Sequence, residues 1–357
     1  MNKFSTLPEH GLEACWKSPS NIALIKYWGK SGRQLPRNAS LSITLNKAYT
    51  LTRVVAKSLA SGYEGSRIHF IFNGNPNPEF ASRIENFIRE ITSEIPFLSQ
   101  AMLMIESSNT FPHSAGIASS ASAMSALALC LCDIENQLSR EFLNETALFR
   151  KASYIARLGS GSACRSVYGN FTVWGHHEAI YGSTDEFAVP LPVKIHPTFL
   201  NIKDTILIVD PETKKVSSSA GHRLMEGHPF ASARFKQAHE NLGRLVVAIE
   251  QGDWETFISI TENEALSLHA MMMTSNPGYV LMQPETLTIM RKIQTFRNQS
   301  GAKVCFTLDA GPNIHLIYAD NEQEKLLPLI EALKDLCFNQ SLLMDEMGEG
   351  PEKLTCN

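Results

Sequence analysis

Asn109-Thr110-Phe111-Pro112-His113-Ser114-Ala115-Gly116-Ile117-Ala118-Ser119-Ser120-Ala121-Ser122 decides how this chain is read. Residues 101–105 before it have the character of a strand, and 119–132 have the spacing of a helix. A strand that feeds a helix through small residues leaves the backbone free to close around a ligand. The first N–H groups of a helix have no partner within it, and the aligned peptide dipoles add partial positive charge at that end. A phosphate fits there, and the serine hydroxyls can donate to it or ligate magnesium. The alternative is a small-residue helix start packed against a sheet, because the segment is neither a Walker A sequence nor a G-x-G-x-x-G turn.

Outward from that segment, strands and helices do not alternate regularly, which predicts an α+β protein rather than a doubly wound sheet. Residues 42–45, 49–56, 67–72, 101–105 and 170–174 read as strands, and 79–91, 119–132 and 141–156 as helices. Pro190-Leu191-Pro192 and the stretch to Pro197 break regular structure, so two domains, 1–190 and 191–357, are expected to meet there. Beyond them, 205–209 reads as a strand and 231–250, 254–272 and 285–298 as helices. Residues 303–308 and 313–318 read as two strands joined by a tight turn at Asp309-Ala310-Gly311-Pro312.

A length of 357 residues exceeds the usual reach of one hydrophobic core, in keeping with two domains. With 43% hydrophobic and 19% charged residues, the chain can fold by burying apolar area. A net charge of -4 supplies no global positive field, which excludes general binding to nucleic acid or an anionic membrane. Any anionic ligand must be held by local groups. Residues 1–20 contain no apolar core of signal-peptide length, and 121–132 is too short and too interrupted by serine to cross a bilayer, so a cytoplasmic location is expected. Seven cysteines without a C-x-x-C pair fit neither a zinc site nor a disulfide framework, and read as reduced and mostly buried. Gly175-His176-His177-Glu178 has metal-ligating residue types, but neighbours along a strand face opposite ways, which favours a structural role.

Three more segments carry chemistry. Ser18-Pro19-Ser20-Asn21-Ile22-Ala23-Leu24-Ile25-Lys26-Tyr27-Trp28-Gly29-Lys30 places two cations and a phenol at a strand end, which suits a polyanionic substrate, although a solvated strand end has the same composition. Gly159-Ser160-Gly161-Ser162-Ala163-Cys164-Arg165-Ser166 surrounds one arginine with glycine and serine, and can fold as a nest that grips phosphate or carboxylate or, equally, as a flexible surface loop. Asp309 stands in a turn, where aspartate commonly bonds its own backbone.

In order and wording these segments resemble the diphosphomevalonate decarboxylases, a branch of the GHMP kinase superfamily. The match runs through residues 21–30, Asn38-Ala39-Ser40-Leu41-Ser42, 111–122, 159–166 and 309–313, with lesser matches at Asn73-Gly74, Val216-Ser217-Ser218-Ser219 and Leu268-His269-Ala270. Lys-Tyr-Trp-Gly-Lys and Gly-Ser-Gly-Ser-Ala-Cys-Arg-Ser are particular to that branch, whereas Pro-x-x-x-Gly-x-x-Ser-Ser-Ala marks GHMP kinases in general. The resemblance implies a two-domain GHMP kinase fold, an N-terminal α/β domain like ribosomal protein S5 and a C-terminal α+β domain, with the active-site cleft between them. It implies a homodimer, with ATP and Mg²⁺ as cofactors. ATP would meet Asn73, Pro112, Ser114, Ala115, Gly116, Ala118, Ser119 and Ser120, with Ser120 also on the metal.

The implied reaction phosphorylates the 3-hydroxyl of (R)-5-diphosphomevalonate and then expels phosphate and carbon dioxide to give isopentenyl diphosphate. Asp309 would orient or deprotonate the hydroxyl, Lys26 would stabilise the moving phosphoryl charge, and Arg165 would hold the carboxylate. Tyr27, Lys30, Ser160, Ser162 and a serine of the 217–219 run, Ser217 or Ser218 among them, would hold the diphosphate. Two departures fall near these contacts: Ser31-Gly32-Arg33-Gln34 replaces a longer acidic stretch, and Ala39 stands where serine is common. A sister enzyme acting on a monophosphorylated mevalonate, a kinase that does not decarboxylate, and a non-catalytic nucleotide-binding protein are the alternatives. The last would be expected to have lost Asp309 or the glycine-serine loop.

Overall fold

The computed structural model describes residues 7–60, 65–111, 119–211 and 218–356. Strand β1 (Leu12–Ile25) alternates in exposure up to Lys17 and is continuously buried from Ser18 to its end. The change marks where packing covers both of its faces. After it, β2 (Lys30–Ser31) and β3 (Leu35–Pro36) form a separate ribbon.

β4 (Ser40–Ser58) pairs antiparallel with β1. Sequence predicts two strands here, yet the chain stays extended through Asn46 and Lys47. The reason is the Asp345 carboxylate, which accepts the N–H groups of Asn46, Lys47 and Ala48 where the β1 ladder slips register. β5 (Ile68–Phe72), β6 (Asn75–Pro76), β7 (Ala101–Asn109), β8 (Phe171–Trp174) and β9 (Val189–Pro190) join this sheet. Among the described residues only β5 and β7 run parallel, which fits α+β rather than a doubly wound sheet.

Helices α1 (Pro78–Ile91), α2 (Ser119–Leu138) and α3 (Glu145–Gly159) belong to the same unit. α2 can lie close to the sheet because its early residues are small: Ser122 Oγ meets Thr50 Oγ1 at 2.7 Å, and Ser18 Oγ donates to Ser125 Oγ at 2.7 Å. α3 starts later than its periodicity predicts, since the Asn144 side chain accepts from Ala147 N–H and caps it.

The second sheet has the order β11-β12-β10-β13, built from β10 (Ile202–Leu207), β11 (Val304–Thr307), β12 (Ile314–Ala319) and β13 (Leu342–Glu346). With it go α4 (Ser218–Arg223), α5 (Ala231–Gln251), α6 (Trp254–Met273), α7 (Pro284–Ser300) and α8 (Gln323–Lys334). β11 and β12 pair antiparallel as expected, but the link is a wide loop, narrowed locally where Gly311 N–H donates to the Asp309 carbonyl at 2.7 Å. α8 escapes a sequence reading because Pro328 interrupts its pattern.

Residues 352–354, placed by sequence in the second domain, form β14 (Glu352–Leu354) on the edge of the first sheet beside β1. Asp133 fastens that return by accepting from Trp16 Nε1 and Lys353 Nζ at 3.0 and 2.9 Å. A core shared by both halves, including Ile22, Leu41 and Phe171 with Ile206, Leu242 and Phe257, backs the end of β1. No described helix is long and apolar enough to cross a membrane.

Candidate active site

A cleft of about 820 Å³ opens where the end of β1, the start of α2, the turn after α3, α4 and the β11–β12 loop converge. Its lining brings together Lys26, Tyr27, Lys30, Ser119, Ser120, Ser160, Ser162, Arg165 and Asp309. Phe72 and Asn109 line it as well, whereas Asn73 sits beside them in the β5–β6 turn with φ +48°. There its side chain accepts from Asn109 N–H at 3.4 Å. Pro112, Ser114, Ala115, Gly116, Ala118 and Ser217 lie outside the described residues, and of Ser218 only its place in α4 is described.

Lys26 follows β1 directly and is 1% exposed, with Nζ donating to Asp309 Oδ1 at 3.0 Å. Its backbone N–H donates to Glu264 Oε2 at 2.9 Å, and its carbonyl accepts from Asn38 Nδ2 at 3.0 Å. Glu264 is itself held by both Nη atoms of Arg234 and by Asn241 Nδ2. Burial pulls the Lys26 pKa below the ordinary lysine value, and Asp309 and Glu264 draw it back up. Asp309 is thus more than a turn former: its carbonyl meets Gly311 N–H and His269 Nε2, while its carboxylate faces the ammonium.

Arg165 lies in a buried 3-10 helix, Gly161–Val167, and not in a flexible surface loop. The glycine is required: a Cβ at Gly161 would stand 2.9 Å from the Trp174 ring and 3.0 Å from Tyr27 Oη. Arg165 Nε donates to Asn21 Oδ1 at 3.3 Å and Nη1 to Ser40 Oγ at 2.5 Å. Asn21 is fixed in turn by Ser166 Oγ at 2.8 Å. Ser160 Oγ comes within 3.4 Å of Ser120 Oγ, joining this turn to the start of α2.

On the other side, the Tyr27 ring packs against Trp174 and His222 with centroids 4.6 and 4.3 Å away. Its buried hydroxyl has no hydrogen-bond partner among the described residues, and burial raises its pKa. Lys30 Nζ donates to Gln34 Oε1 at 2.9 Å. The altered loop therefore offers Lys30 a neutral partner, and burial plus the Arg223 charge lower the lysine's pKa. Toward the open side of α2 the wall turns aromatic, with Phe70, Phe72, Phe80 and Phe87 beside Met124 and Arg83.

Asn21 and Ser40 fall within the sequence motifs but carry no role there, although a short polar side chain inside a buried strand was a usable signal. Glu264 and Arg234 gave no local signal, since their patterns are those of ordinary amphipathic helices. The His176–Glu178 stretch forms a turn and not a strand, so the opposite-faces argument does not apply. His177, Glu178 and His239 gather there, yet His177 Nδ1 accepts from Ala179 N–H at 3.2 Å and Nε2 donates to the His239 carbonyl at 3.1 Å, so both ring nitrogens already hold the turn. The seven cysteines are free, and five of them are buried.

A two-sheet fold with a cleft between a strand end, a small-residue helix start and a far-sheet aspartate defines a GHMP-kinase-type enzyme. The profile of the diphosphomevalonate decarboxylase-like N-terminal domain matches residues 18–188, and that of the mevalonate 5-diphosphate decarboxylase C-terminal domain matches 205–354. The diphosphomevalonate decarboxylase of Saccharomyces cerevisiae is 33% identical over 336 residues, 88% of this chain and 80% of the relative. Among solved structures, MDDEF in complex with MVAPP, AMPPCP and magnesium superposes with TM-score 0.81 at 28% identity, covering 97% of this chain and 99% of the other. The mevalonate diphosphate decarboxylase of Staphylococcus aureus gives TM-score 0.81 at 27% identity, covering 96% and 98%. The chain belongs to the diphosphomevalonate decarboxylase family.

Proposed function

We propose that the cleft catalyses the ATP-dependent decarboxylation of (R)-5-diphosphomevalonate to isopentenyl diphosphate, ADP, phosphate and carbon dioxide. The observation that carries this reading is Arg165, a buried guanidinium held by neutral acceptors beside the Lys26–Asp309 pair. A solved relative that takes MVAPP, AMPPCP and magnesium together supports it.

The γ-phosphoryl of ATP moves to the 3-oxygen of the substrate while the hydroxyl proton passes to Asp309. Lys26 meets the charge on the transferring group, and as its Nζ turns toward the phosphoryl oxygens the Asp309 carboxylate is released to take the proton. The carbon–oxygen bond to the new phosphate then breaks. The pair of electrons in the bond to the carboxylate forms the double bond, and carbon dioxide leaves from the grip of Arg165. Tyr27, Lys30, Ser160 and Ser162 hold the diphosphate, and Ser119 and Ser120 the nucleotide phosphates beneath the aromatic wall, which suits a flat base. The Ser120 hydroxyl, exposed at the cleft, is a hard oxygen donor of the kind Mg²⁺ takes together with phosphate oxygens. When bound there, Mg²⁺ neutralises charge building on the phosphates.

A domain boundary near residue 190, supported by the change of sheet between β9 and β10, belongs to the same proposal, as does a cytoplasmic homodimer, supported by family likeness. The test is incubation with ATP, Mg²⁺ and, separately, mevalonate, its 5-phosphate and its 5-diphosphate, following ADP and carbon dioxide. Both products in equal amounts from the diphosphate alone are expected. ADP without carbon dioxide, or a preference for the monophosphate, overturns the proposal.

A further inference from the structure

His222 lines the cleft and has no task in the proposed function, yet any role for it rests on that function. Its position is tightly set. Gly221 lets α4 sit against Trp28, since a Cβ there would stand 2.5 Å from the indole ring. The His222 ring is then enclosed by Tyr27 and Trp28, with centroids 4.3 and 4.5 Å away, and the residue is 8% exposed. Its Nδ1 accepts the Gly29 N–H at 2.9 Å.

A neutral imidazole that accepts at Nδ1 carries its proton on Nε2. Burial, with the nearby Lys30 charge, pushes the His222 pKa down to about 3, so the ring is neutral wherever the protein works. Among the described residues the Nε2–H has no hydrogen-bond partner. The Tyr27 hydroxyl is buried and unpartnered among those residues, and the partner they give Lys30 Nζ is the neutral Gln34. A buried hydroxyl is rarely left unpaired, and an unpaired N–H on a residue that lines the cleft can meet a ligand there. This side of the cleft thus carries an ammonium, a phenol and a neutral N–H in its lining, and an N–H that cannot accept selects an oxygen without a proton. A phosphoryl oxygen is such a group, and a neutral donor binds it without adding a further like charge to Lys30 and Arg223.

We infer that His222 is a substrate-binding residue whose Nε2–H, held in that tautomer by Gly29, donates to a phosphoryl oxygen of the substrate's diphosphate beside Lys30.

Two near-isosteric variants separate binding from support. His222→Asn keeps an oxygen where Nδ1 stands and removes the distal donor, whereas His222→Gln keeps a distal N–H and removes the near acceptor. His222→Asn should raise the KM for diphosphomevalonate about tenfold, with the KM for ATP and the melting temperature close to wild type. His222→Gln should hold the substrate KM within about threefold and lower the melting temperature. A wild-type substrate KM in His222→Asn, or an equal rise in its ATP KM, overturns the assignment. Nitrogen NMR of histidine-labelled wild type does not depend on either variant folding. A protonated Nε2 that shifts on adding diphosphomevalonate without ATP supports the inference, and a protonated Nδ1 or no shift refutes it. Wild-type turnover measured alongside keeps the two levels apart: no turnover sinks the proposed function, whereas turnover with an unaffected His222→Asn sinks only the role of His222.

Discussion

Arg157 and Arg165 stand on consecutive elements and are 1% and 3% exposed, yet the fold treats them differently. Arg157 donates Nη2 to the Glu186 carboxylate at 3.0 Å, Nε to the Glu186 carbonyl at 2.7 Å and Nη1 to the Arg33 carbonyl. Arg165 meets only the neutral oxygens of Asn21 and Ser40 and has no ion pair among the described residues. A guanidinium taken out of water needs an anion close by. For Arg157 the chain supplies it, and the side chain ties α3 to the loops before β3 and before β9. For Arg165 the described residues supply no anion, and in the proposed function the substrate carboxylate takes that place while Asn21 and Ser40 aim the fork. Arg234, paired to Glu264 at 2.5 Å, is of the first kind, and through Glu264 it also fixes the backbone at Lys26.

The sharpest attempt to break this contrast removes the charge facing Lys26. Asp309→Asn keeps the shape and loses the acid, so kcat should fall by at least about a hundredfold in a protein that still folds, with some loss of melting temperature because the buried Lys26 ammonium loses its counter-ion. Retention of more than about a tenth of wild-type turnover would return Asp309 to a turn role, in which asparagine serves as well. Arg165→Lys comes next. An ammonium cannot reproduce the planar fork, and kcat/KM should drop on the order of ten- to a hundredfold in a protein that melts normally.

Arg157→Lys should show the reverse pattern. Losing two of its carbonyl and carboxylate bonds costs about 1–3 kcal/mol of stability, seen as a lower melting temperature, while kcat/KM of the folded enzyme stays within about threefold. Matching losses of activity and stability in both arginine variants would erase the distinction. The smallest effect is a shift in a pH profile. The Lys26 pKa is held below the ordinary lysine value of about 10.4 by burial, and the proposed reaction needs the protonated ammonium. Raising the pH removes that proton, so kcat should decline on the alkaline side before the ordinary lysine range is reached. A kcat that stays flat up to the pH of unfolding would take Lys26 out of the chemistry.

Much of this was legible before any coordinates. The helices near 231–250 and 254–272 announce themselves through repeated apolar spacing, which needs no knowledge of distant residues. The glycine-serine run around Arg165 and the lysine pair after β1 are likewise local, because residue type and backbone freedom are properties of a few neighbouring positions. Where local patterns were weak or interrupted, as at Pro328 in α8 or in the short polar β14, which pairs with β1, sequence named no element. The meaning of the charged residues was decided only in three dimensions. Lys26 and Asp309 meet across a separation of 283 positions and Lys26 and Glu264 across 238. Arg157 and Arg165 look alike in the chain and differ only in whether a loop brings an acid to them. Burial and ion pairing depend on which distant strands the shared apolar core draws together, and that is a property of the packed molecule, not of any stretch of its sequence.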